Sequence, residues 1–114
     1  MSQPHWNNNQ FNAPVDSSAT LTNASVRAAP QAGMCIYITD VIVFAGSGTS
    51  KPYSFLQGSG GAVLFTIQPA TGLSQVINFK TPLKLTPATA LCTTATGAST
   101  GANMIVSGFI GRDQ

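Results

Sequence analysis

The sequence contains no glutamate, three aspartates (Asp16, Asp40 and Asp113), one histidine, His5, and one tryptophan, Trp6. Charged residues make up 7% of its 114 residues, against roughly 25% in an average soluble domain. Each scarcity excludes some chemistry. Hydrolysis by paired carboxylates needs two acids on neighbouring elements, and the three aspartates stand in three separate regions. A nucleophile would have to borrow its base from His5, in a polar leading stretch that gives no fixed position. No G-x-S-x-G, P-loop or dinucleotide fingerprint occurs, and the "GSG" and "GSGG" segments read as hairpin turns between apolar runs. No catalytic residue and no cofactor is assigned, and the chain is expected to assemble or bind rather than to act as an enzyme.

Cations are as sparse. Arg27, Lys51, Lys80, Lys84 and Arg112 are scattered, whereas phosphate binding needs them clustered, so nucleic acid is not expected as a partner. No apolar run approaches the roughly 18 residues of a membrane helix. The opening "MSQPHWNNNQ" has neither the basic nor the apolar region of an export signal, so a soluble protein made in a cytosol is expected, with no membrane partner. In that reducing compartment Cys35 and Cys92 are expected as buried free thiols, and with no carboxylate or histidine cluster beside them they form no metal site.

What the sequence does have is apolar and hydroxyl-rich. Hydrophobic residues are 43% of the chain, and the length suits one core and one domain. Residues 1–17, rich in Asn, Gln and Pro, read as a flexible N-terminal arm, and residues 18–114 as a β-sandwich domain. Trp6 and Phe11 are large apolar side chains in that arm, candidates for docking in a pocket on a partner or a neighbouring subunit. From Ala19 onward, short runs rich in Val, Ile, Thr, Phe and Tyr alternate with Gly, Pro and Ser clusters, the pattern of an all-β sandwich or barrel. The expected strands are Ala19–Arg27, Met34–Ala45, Lys51–Gln57, Ala62–Gln68, Ser74–Lys80, Ala90–Ala95 and Asn103–Gly111. Pro82 and Pro87 bracket "LKLT", which reads as an irregular connection or an edge strand.

The segment "CIYITDVIVFAG" raises the question of assembly. Strict alternation places Met34, Ile36, Ile38, Asp40, Ile42 and Phe44 on one face and Cys35, Tyr37, Thr39, Val41, Val43 and Ala45 on the other. Neither face is polar. A strand apolar on both faces needs two covers, and a second copy of the chain supplies the outer one, with Tyr37, Val41 and Val43 as candidate oligomer-interface residues. Asp40 either follows a bulge that shifts the register and sends it to solvent, or pairs with one of the five cations. Buried alone it would cost several kcal/mol. The bulge is the preferred reading, because it also bends the long strand.

The strand "CIYITDVIVFAGSG", the glycine-rich hairpin after it, "VINFKTPLKLTPATALCTTAT" and the closing "ANMIVSGFIGR" together resemble a type of small β-sandwich protein coded in tailed-bacteriophage genomes and prophages. The resemblance spans about Ala19 to Arg112 as a pattern of composition and strand order. It implies an antiparallel, jelly-roll-like sandwich that assembles as a homotrimer on the virion. Its expected role is capsid decoration (cement), binding the major capsid protein on the outer shell and stabilising capsomer junctions. The alternative is a head- or tail-fibre component, or a receptor- or carbohydrate-binding module in which Tyr53, Trp6 or Tyr37 stacks on sugars.

Overall fold

The computed structural model describes residues 10–48 and 50–113. Within them the chain is all-β, with eight strands: β1 (Gln10–Asp16), β2 (Leu21–Arg27), β3 (Met34–Phe44), β4 (Tyr53–Gln57), β5 (Ala62–Ile67), β6 (Ser74–Lys84), β7 (Leu91–Ala95) and β8 (Asn103–Arg112). They form two antiparallel four-stranded sheets in the orders β1-β8-β3-β6 and β2-β7-β4-β5. β1 pairs with β8, β2 with β7, β3 with β6 and β4 with β5, so the chain is doubled on itself as one long ribbon whose tip is the β4–β5 turn. The tip is glycine-rich because its backbone is left-handed at Gly58 and Gly60, with φ of 88° and 70°.

The two sheets share one core. Phe11, Ile36, Ile38, Val41, Val43, Met104 and Val106 enter it from the first sheet, and Val26, Tyr53, Phe55, Ile67, Leu91 and Ala95 from the second. Phe55 stacks on Phe65 at 4.7 Å, and Phe65 meets Phe79 of β6 edge-on at 5.5 Å, which ties the two sheets together along one side. Thr93 is fully buried on the core face, and its hydroxyl is satisfied by donating to the Ser54 carbonyl at 3.0 Å.

Two expectations change on this framework. The segment Gln10–Asp16, assigned to a flexible arm, is the first strand of the sandwich, because Phe11, Ala13 and Val15 alternate onto the core while β8 supplies a full ladder of partners. Phe11 is buried and packs beneath the Arg27 guanidinium, 5.0 Å from its ring centre, so it is a core residue and not a docking one. The rest of the arm, with Trp6, lies outside the described residues. For "LKLT" the edge-strand reading holds in its first half, since Leu83 and Lys84 are the end of β6, an edge strand in which Pro82 is tolerated.

The doubled strand β3 is resolved by a bulge. Ile38 faces Gly108 and Asp40 faces the next residue, Ser107, so Thr39 is an extra residue in the ladder. Inward-facing positions are therefore Ile36 and Ile38 before the bulge and Val41 and Val43 after it, all fully buried. Val41 and Val43, expected at an oligomer interface, are core residues for this reason. Gly108 makes the bulge possible: a Cβ there would lie 2.0 Å from the Tyr37 carbonyl oxygen. On the other flank, β6 answers the bulge with a longer irregular stretch between Asn78 and Leu83.

Candidate functional site

The register of the first sheet arranges its outer face in rows. Pro14, Ile105, Ile42 and Val76 are aligned across β1, β8, β3 and β6. Ile105 is 40%, Ile42 41% and Val76 55% exposed, and Pro14 is exposed as well. The result is a continuous apolar stripe crossing all four strands, perpendicular to them. On one side it is bordered by the row Asn12, Ser107, Asp40 and Asn78, and on the other by Asp16, Asn103, Phe44 and Ser74. An apolar strip whose rim is polar except at Phe44 has the anatomy of a contact surface.

Asp40 belongs to the polar border. It is half-buried, and the Thr39 hydroxyl donates between Asp40 Oδ2 at 3.0 Å and the Ser107 carbonyl at 3.2 Å. Ser107 in turn donates to Asn12 Oδ1 at 2.5 Å, so the border is held by its own hydrogen bonds. Beyond it lies a fourth row, Gln10, Phe109, Tyr37 and Lys84. Tyr37 and Phe109 stack nearly parallel at 4.8 Å, and the Tyr37 hydroxyl donates to the Arg112 carbonyl at 2.5 Å. Of the three residues expected at an oligomer face, Tyr37 alone is on the outer surface. Sequence reasoning missed Ile42, Ile105 and Val76, although the bulge it preferred at Asp40 would have moved Ile42 outward.

The cavities along this face are shallow. One of about 240 Å³ is lined by Asn12, Asp40 and Ser107, another of about 240 Å³ by Tyr37, Phe109 and Arg112. A larger one of about 380 Å³ lies between the β2–β3 connection and Ile110. Tyr53, expected as a sugar-stacking side chain, is fully buried in the core and cannot stack on a ligand. Among the described residues no group of three or more His, Cys, Asp or Glu side chains could hold a metal ion.

Polar chemistry is concentrated instead at the end of the sandwich where β1, β3, β5 and β7 finish. Lys51, 4% exposed, donates from Nζ to the carbonyls of Ser17 (2.8 Å), Ala19 (3.2 Å) and Gly97 (2.6 Å). Its ammonium sits 5.5 Å from the Tyr53 ring centre, and burial lowers its pKa from the ordinary lysine value. Ser99, also buried, donates to the Ala45 carbonyl at 2.5 Å and accepts from the Gly48 amide at 3.2 Å. These two side chains join three connections into one unit, a role the scattered-cation reading of Lys51 did not anticipate. Its one sequence signal, a lysine between Ser50 and Pro52, has no period to single it out.

Cys35 is on β3 and Cys92 on β7, in different sheets; both are free and buried. Burial raises both pKa values, and for Cys35 the neighbouring Asp113 carboxylate adds to the effect. No family model matches the chain, and a search of curated proteins finds no similar one.

Proposed function

We propose that the protein is a structural subunit that works by self-association, a jelly-roll capsid decoration (cement) protein of a tailed-bacteriophage virion. The observation that carries this reading is the apolar stripe Pro14, Ile105, Ile42 and Val76 on the outer face of the first sheet. A second copy covers it at the least cost, because the stripe and its hydrogen-bonded border present few long charged side chains to immobilise. The strand orders support the jelly-roll part of the reading. Six of the seven connections cross between sheets, and the exception is the β4–β5 turn, as in a ribbon doubled on itself and wrapped into a barrel-like sandwich.

In this reading the subunit is a homotrimer on the outer capsid surface, bound to the major capsid protein by many shallow contacts in place of one deep pocket. The residues preceding Gln10, with Trp6, are the segment proposed to reach the shell. The alternative of a sugar-binding fibre tip loses Tyr53 and keeps Tyr37, whose ring face is already occupied by Phe109.

Light scattering on the full-length protein tests self-association, comparing wild type with Ile42→Asp. A trimer in the wild type that is lost in the variant is the expected result. A wild-type monomer at micromolar concentration would remove the main support for a self-assembling block. Co-sedimentation with capsids at a stoichiometry comparable to the major capsid protein tests the virion role, and a few copies per particle would point to a fibre.

A further inference from the structure

Two four-stranded sheets leave four edge strands, β1 and β6 in one sheet, β2 and β5 in the other. An edge offers unpaired N–H and C=O groups to any passing strand, and natural sheets blunt their edges with proline, charge or distortion. Three of the four edges here are blunted in this way. β1 carries Pro14 and ends on Asp16. β6 carries Pro82, Lys80 and Lys84, together with the long irregular stretch opposite Thr39. β2 has two shifts of register, a left-handed Asn23 with φ of 48°, and Arg27 at its end.

The fourth edge is different. β5 reads AVLFTI, with no charge, no proline and no glycine. It carries one bulge, an extra Leu64 in the ladder with β4, but none of the prolines or charges found on the other three edges. Among the described residues no strand lies beyond it. Val63, 57% exposed, and the exposed Ala62 and Thr66 stand along the strand without a charged side chain to repel a neighbour.

We propose that β5 is a self-association edge: two copies pair their β5 strands antiparallel about a two-fold axis and join their second sheets into one continuous eight-stranded sheet. The occupant is a second copy because an uncharged, β-rich strand is complementary to itself in the antiparallel sense. An isologous pair also repeats each contact twice. This contact is independent of the apolar stripe, which is on the outer face of the other sheet, so the two together would link oligomers into a larger array.

Amide hydrogen exchange on the full-length protein tests it, because edge pairing protects backbone N–H groups and face-to-face packing does not. Exchange of residues 62–67 is expected to slow as protein concentration rises through the micromolar range. Val63→Lys and, separately, Ala62→Lys place like charges across the two-fold and are expected to abolish that concentration dependence while the thermal midpoint at low concentration is unchanged. Ile42→Asp, which breaks the stripe, is expected to keep it. Exchange in residues 62–67 that is independent of concentration, or lysine variants that retain the protection, would overturn the proposal.

Discussion

At the scale of single residues, the described chain has one buried ammonium, and it behaves as a fastener. Three carbonyls from two connections accept from Lys51 Nζ with no carboxylate among them. Lys51→Met keeps the apolar stem and removes the donor, leaving the carbonyls unpaired. Urea unfolding is expected to show a loss of about 2–3 kcal/mol, the scale of charge-assisted hydrogen bonds. Asp16 gives a pH signature. Its carboxylate accepts from the Ser18 amide at 3.0 Å and hydroxyl at 2.7 Å, and these bonds hold its pKa below the ordinary 3.8. Because the folded-state value is the lower one, the stabilisation is fully present above 3.8 and is lost as pH falls through the lowered value. Stability curves against pH are expected to fall less steeply in that acid window for Asp16→Asn than for wild type.

At the scale of elements, seven of the eight strands were legible in the sequence to within a few residues, because Gly and Pro clusters punctuate runs rich in β-branched and aromatic residues. β1 was missed although Phe11, Ala13 and Val15 alternate cleanly. Its Asn, Gln and Pro content resembles a linker, and Pro14 counts against a strand until the strand is known to be an edge. The same register problem hid the contact surface. Alternation continued through Thr39 puts Val41 and Val43 on the outside, and one extra residue exchanges them for Ile42. The cage around Lys51 could not be read from its flanking Ser50 and Pro52, since its acceptors are backbone carbonyls. Truncation tests the place of β1 in the core. Removal of residues 1–16 takes away Phe11 and the ladder to β8 and is expected to lower the midpoint by several degrees, read by circular dichroism.

At the scale of the whole molecule, stability and association are expected to be linked. If the stripe is covered by sister chains, the folded state gains from mass action and the thermal midpoint rises with protein concentration. Calorimetry across a concentration series is expected to show that rise for wild type and a flat line for a variant carrying both Ile42→Asp and Val63→Lys. A flat line for wild type would place the stability of the fold within the single chain. The doubled ribbon has a further consequence, for synthesis on the ribosome. β8 is made last of these eight strands, yet it lies between β1 and β3 and is, among the described residues, the sole partner of β1 in the sheet. The first strand must wait for the last, so the nascent chain cannot close this sheet until translation has passed Arg112, and a message cut short before Asn103 yields a chain with its core open.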